Sequence, residues 1–147
     1  CENCTFTDPT LSFRGLATFE RNIEAISPVL ECYLGDNACI LYSLTEDRIQ
    51  RQIFTKWRMV GDINVFPFWK PRLDLGGQTT FTYGGNRGRV HTYYEQWDVS
   101  AAEALLQLIG KPSALSVAKI AQEEASSGAI VTNFYSWEAK VRTVLSP

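Results

Sequence analysis

One histidine, His91, is all the imidazole this 147-residue chain holds, so any imidazole-based acid/base chemistry rests on that residue. It stands beside Arg89, just after a turn, with no carboxylate or nucleophile set by the sequence to work with it. An excess of one charge is lacking too: 14 Lys and Arg against 16 Asp and Glu give a net charge of −2. A nucleic-acid binder usually carries a basic face. The nearest thing here, Asn86-Arg87-Gly88-Arg89, reads as a turn. No apolar run approaches the roughly 18 residues that a membrane-spanning helix needs, so no transmembrane segment is expected. No signal peptide or Arg-rich transit pattern is visible. There is no Gly-rich phosphate loop, nucleophile motif or metal-ligand cluster, and no repeat.

Cysteine is scarce and awkwardly spaced. Cys1-Glu-Asn-Cys4 is a C-x-x-C, but a zinc site needs a second tightly spaced pair, and Cys32 and Cys39 are too far apart in sequence to supply it. A redox C-x-x-C normally opens a helix, whereas this one precedes a strand. The four thiols therefore read as mostly buried residues in a reducing compartment. No metal and no cofactor is expected.

What is present is an ordinary globular composition, 45% apolar and 12% aromatic, enough to bury the core of one domain. Cys4, Phe6 and Asp8 alternate onto one face of a short strand. From Gly15 to Leu34, apolar residues fall at helical spacing. Pro28 should kink or split that helix, and Gly35-Asp36-Asn37 should end it. Strand patterns follow over Cys39–Leu44, Gln52–Val60, Arg72–Tyr83 and Arg89–Asp98, the last two joined as a hairpin through Gly84–Gly88. Gly76-Gly77 reads as a bulge that bends the sheet. Between the second and third strands, "VFPFWKP" suits an ordered loop. A helix begins at Ser100, with Glu103 completing a capping box and Ala104, Leu105, Leu108 and Ile109 as its apolar stripe. Ser116–Ser126 reads as a further helix, and Ala129–Leu145 as a strand, a helix or a docking arm. A helix followed by antiparallel strands gives an α+β fold, with helices on one face of a curved sheet.

Five stretches carry a resemblance: "FTDPTLSFRGLATFERNI", "FTKWRMV", "FPFWKP", "GGQTTFTY" and "YYEQWDVSAAEALLQL". In this order they resemble an uncharacterised family of plastid and cyanobacterial domains. That family belongs to the superfamily of nuclear transport factor 2, ketosteroid isomerase and the SnoaL-like cyclases. The resemblance implies a cone, a curled antiparallel sheet wrapping helices around an apolar pocket, and a plastid address in the stroma or at the thylakoid. It covers roughly residues 4–110. The expected organisation is a domain over 1–110 and a C-terminal extension over 111–147. The superfamily's first helix precedes the Asp-Pro strand; here only three residues precede Cys4, so the expectation is a cone lacking that helix.

Fold does not carry function across this superfamily. Asp8 matches the aspartate of a strand that bears the general base in ketosteroid isomerases, and burial would raise its pKa into a useful range. Equally, an Asp before Pro-Thr accepts hydrogen bonds from the next amides as an Asx-turn, or pairs with Arg14. Of the isomerase's two oxyanion donors, the tyrosine belongs to the first helix, and the aspartic acid falls at Thr79, a weaker donor. Losing one such donor typically costs about a hundred- to a thousandfold in rate. Related plastid sequences tend to show His-x-Asp-x-Trp where this chain has Tyr93, Glu95 and Trp97. Glu95 and Tyr93 either line the pocket with Trp97, or Glu95 pairs with Lys56 or Arg58. Phe6, Trp57, Met59, Thr79, Phe81 and Trp97 are the candidate ligand-binding residues. Two readings stay open. One is a non-catalytic plastid module that binds a small apolar ligand or serves as a subunit of an assembly, with protein partners or a homodimer through the sheet face. The other is an acid/base isomerase or dehydratase of a lipophilic substrate, with Asp8 as base and Tyr93 or Glu95 assisting.

Overall fold

Alternating apolar and polar residues over long stretches commit most of the middle of the chain to strands, and the strands make one sheet. The computed structural model describes residues 3–64, 67–84, 88–110, 114–133 and 136, with backbone only at 26, 27 and 29–31. In chain order the elements are β1 (Thr5–Thr7), β2 (Ser12–Arg14), α1 (Leu16–Tyr33), β3 (Leu34–Asp47), β4 (Gln52–Ile63) and β5 (Arg72–Gly84). Then come β6 (Arg89–Trp97), α2 (Ala101–Gln107), α3 (Val117–Ser126) and β7 (Ile130–Thr132). The sheet runs β2-β1-β6-β5-β4-β3-β7, curled and unclosed, so the fold is α+β. All strand pairs are antiparallel except β1 with β6, which is parallel.

Several local expectations hold. Ser100 caps α2 by accepting from the Glu103 backbone amide, and the Glu103 side chain returns to the Ser100 backbone. Ser116 caps α3 the same way through Lys119. Others are corrected. Pro28 does not split α1, which is continuous from Leu16 to Tyr33; the ring removes one helical hydrogen bond and the helix continues past it. The strand expected from Cys39 begins at Leu34, directly after the helix. The backbone amide of Asn64 donates to Tyr33 O at 2.7 Å and ties this junction to the end of β4. Gly76 and Gly77 are not a bulge, because β5 pairs with β4 in unbroken register through both. The register shifts lie in β3, and in β6 at His91, which is left over opposite Thr82 and Tyr83.

Helices cover both faces of the sheet rather than one. On the first, called here the inner face, Leu16 and Phe19 of α1 pack on Cys4, Phe6 and Val90. Phe6 stacks on Phe19 at 4.4 Å between ring centroids and on Phe13 at 5.2 Å. On the opposite face, Val117 and Ile120 of α3 pack on Ala38, Ile40 and Val60, with Val131 of β7 beside them. Residues beyond 110 thus enter the same sheet. Of the apolar stripe expected on α2, Ala104 is buried, but Leu105, Leu108 and Ile109 are exposed, at 65%, 39% and 69%. The helix is held instead by polar groups. The Gln107 side-chain amide donates to Asp74 O at 3.0 Å and accepts from Asp74 N at 2.7 Å, filling the place of a neighbouring strand. The "VFPFWKP" loop contributes no buried aromatic among its described residues, since Phe68 and Trp69 are both exposed. Of the cysteines, Cys4 and Cys39 are buried and Cys32 is exposed; Cys1 lies outside the described residues.

A charge network completes the α3 face. Arg58 grips Asp74 with two hydrogen bonds of 2.8 and 2.7 Å and Glu124 of α3 with a third of 2.9 Å. Tyr42 adds a hydrogen bond to the same Glu124 oxygen. Charge-assisted bonds of this kind are the strong ones. Arg58→Ala is expected to lower unfolding stability by about 2 kcal/mol, read by urea denaturation, and to speed amide hydrogen exchange across Val117–Ser126. Unchanged exchange there would mean that the apolar seam alone holds α3.

Candidate functional site

The register of β1, β6, β5 and β4 sorts the inner face into rows, because paired residues point to the same side. One row is aromatic and aliphatic: Phe6, Tyr93, Phe81 and Ile53 stand in register. Two residues further along, the row is polar: Glu95, Thr79 and Thr55. The next row is Trp97, Gly77 and Trp57. A polar stripe therefore runs between two aromatic ones. Met59 lies one row beyond, between Cys39 and Leu75 in register.

Glu95 is the centre of the stripe. Its Oε1 accepts the Trp97 indole N–H at 2.6 Å, and its Oε2 accepts the Tyr93 hydroxyl. Trp57 donates its indole N–H to Thr79 Oγ1 at 2.8 Å, which leaves the Thr79 hydroxyl proton directed at Glu95 Oε2, 3.5 Å away. Neither Lys56 nor Arg58 pairs with it; Arg58 is on the opposite face with Asp74 and Glu124. Burial pushes the Glu95 carboxyl above its ordinary range, with the nearby charge of Asp8 adding to the rise, while the hydrogen bonds from Tyr93 and Trp97 act against it. Burial likewise lifts the Tyr93 phenol well above its usual value, and the Glu95 charge pushes the same way.

Asp8 sits one position past the last β1–β6 pair, Thr7 with Tyr94, and so beside Glu95 on the neighbouring strand. Its Oδ1 is committed to the turn between β1 and β2. It accepts from Thr10 N at 2.7 Å, Thr10 Oγ1 at 2.5 Å and Leu11 N at 3.0 Å. This is the Asx-turn arrangement, and Arg14 takes no part in it. His91 is exposed, and among the described residues its ring hydrogen-bonds with its neighbour Thr92 at 3.2 Å.

Gly77 is the residue that sequence reasoning assigned to another job. A Cβ there would come within 2.5 Å of Gln96 O and 2.9 Å of the Trp57 ring. Only glycine lets the Trp57 indole lie across the middle strand and reach Thr79. The available signal was its position, cross-strand from two tryptophans.

The raised carboxyl of Glu95 has a measurable consequence. Between the ordinary value of 4.5 and the higher folded value, the folded chain binds more protons than the unfolded one, so stability falls as pH rises through that window. Glu95→Gln removes the ionisation. Its Tm relative to the parent chain is expected to climb from pH 4.5 upward and to level off above the folded value. A difference flat in pH would mean that Glu95 titrates as if unburied.

Residues 1–93 match the family described as "Uncharacterized conserved protein (DUF2358)". No curated protein matches the chain. Among solved structures, it is similar to a protein from Bacillus subtilis assigned as an isomerase, with TM-score 0.52, 12% identity and 76% of each chain covered. It is also similar to an NTF2-like protein of unknown function from Exiguobacterium sp. 255-15, with TM-score 0.51, 10% identity and coverage of 68% of this chain and 77% of that one. A third is a protein from Jannaschia sp. CCS1 assigned as a SnoaL-like polyketide cyclase, with TM-score 0.50, 17% identity and coverage of 77% and 74%. At such identities the likeness is one of fold, the nuclear transport factor 2-like fold. Matched over more than half its length, the chain belongs to the DUF2358 family.

Proposed function

We propose that the chain is a non-catalytic module of the plastid that holds a small, largely apolar ligand on the inner face of its sheet. The observation that carries this reading is the polar stripe of Glu95, Thr79 and Thr55 set between aromatic rows. Sites for small molecules are mostly apolar, with a few convergent polar groups to fix orientation. Trp97, Tyr93 and Thr79 each donate a hydrogen bond to Glu95, and Trp57 donates to Thr79, so the face is pre-organised. Against catalysis by Asp8 stands its turn role, with three donors on one oxygen. The plastid address is supported by the resemblance of the five sequence stretches.

Two other readings have their own support. The exposed Leu105 and Leu106 of α2, with Ile109 just past its end, favour a subunit of a larger assembly. The placement of Asp8 beside Glu95 favours an acid/base isomerase or dehydratase, and solved structures of this fold include a protein assigned as an isomerase.

Native mass spectrometry on protein isolated gently from its own source tests the ligand-binding reading. The expected spectrum carries a non-covalent excess of a few hundred daltons, lost when Phe81→Glu places a charge on the aromatic row. A chain that stays bare through every gentle preparation overturns the reading, and one that arrives with other chains transfers it to the assembly. Asp8→Asn keeps a side-chain oxygen for the β1–β2 turn and is expected to change stability by less than about 0.5 kcal/mol, while leaving that bound mass in place. Loss of the bound mass in Asp8→Asn would show that Asp8 holds the ligand as well as the turn.

A further inference from the structure

We infer that the ligand of this face is an organic cation, a protonated amine or quaternary ammonium on an apolar body, with its charge against Glu95 and between Trp57, Trp97 and Tyr93. The inference rests on the ligand-binding reading above and names the class of ligand.

Three features of the face point the same way. The first is the company Glu95 keeps. Its hydrogen-bond partners Tyr93 and Trp97 both donate to it, and so does the Thr79 hydroxyl, which accepts from Trp57. Donors on both oxygens favour the ionised form against the burial that opposes it. The second is the missing counter-charge. Among the described residues no lysine, arginine or histidine pairs with Glu95; the arginines that do pair are committed elsewhere, to Glu46, to Asp74 and Glu124, and to Asp62. A carboxylate drawn out of water and left without a cation is costly unless something charged joins it. The third is the walls. The rings of Tyr93, Trp57 and Trp97 flank the carboxyl in the rows on either side, and aromatic faces attract ammonium groups. Asp8 adds a second negative charge alongside. An anionic ligand would meet only repulsion, and a neutral one would leave Glu95 uncompensated.

The test is isothermal titration calorimetry of the whole chain with three probes of equal length: octyltrimethylammonium, octanol and octanoate, each below its micelle concentration. The cation is expected to bind about tenfold tighter than octanol, the size expected of a desolvated cation–π contact, with octanoate the weakest. Glu95→Gln should bring the cation down to the level of octanol and leave octanol unchanged. Glu46→Gln, at the far hairpin and outside the site, should change neither. If Glu95→Gln does not fold, Trp57→Leu serves in its place and should weaken the cation more than the alcohol. Equal binding of cation and octanol by the parent chain overturns the cation class and leaves a ligand site standing. A cation preference that survives Glu95→Gln overturns the role given to Glu95. No binding of any probe overturns the ligand-binding reading itself.

Discussion

The registers between β6, β5 and β4 are the constraint on which this molecule turns. They put Glu95, Thr79 and Thr55 in one line and Trp97, Gly77 and Trp57 in the next. A slip of one residue in either pairing would send a whole strand's set of side chains to the opposite face. The hydrogen-bond chain from Trp57 through Thr79 to Glu95 exists only in this register. So does the demand for glycine at position 77, where neighbouring backbone and an indole leave no room for a Cβ.

The two faces of the sheet then divide the work by the chemistry of their charges. On the α3 face, Arg58 meets two carboxylates in short, geometrically matched bonds and fastens a helix. On the inner face, Glu95 meets only neutral donors. Among the described residues, charges are paired on one face and a carboxyl stands without a cation on the other, which makes the first a structural network and the second the candidate site.

How much of this could be read from the chain depends on the distance over which each feature is decided. The alternation from Leu73 to Tyr83 and the capping box of Ser100 and Glu103 are local, and both read correctly. The partners of Glu95 were within local reach as well. Tyr93 and Trp97 are two residues away on the same strand face, nearer candidates than Lys56 or Arg58. Asp8 left two outcomes open because turn chemistry and pocket geometry use the same residue type. The features that escaped all depend on distant neighbours. The strand β2 is short, and its apolar content, Phe13, is explained only by Phe6 opposite it. The stripe on α2 has helical spacing, yet little of the molecule comes to cover it. Gly76 and Gly77 looked like a bend because what crowds them, the Asp98 side chain at one and the Gln96 backbone and Trp57 ring at the other, comes from elsewhere in the chain.

The parallel pairing of β1 with β6 joins residue 5 to residue 92, and this sets the order of events when the chain folds. Hairpins between β3, β4 and β5 close short loops and form early; a pairing between such distant segments has far more loop entropy to overcome. Phe6 reaches Tyr93, and Asp8 reaches the side of Glu95, only after that late step. During synthesis from the N-terminus, β1 can pair with β2 at once but must wait for most of the sheet to emerge before β6 is there to join. The β1 side of the candidate site is therefore completed last, and local unfolding of the β2–β1 edge would strip Phe6 and Asp8 from it while the rows on β6, β5 and β4 stay intact.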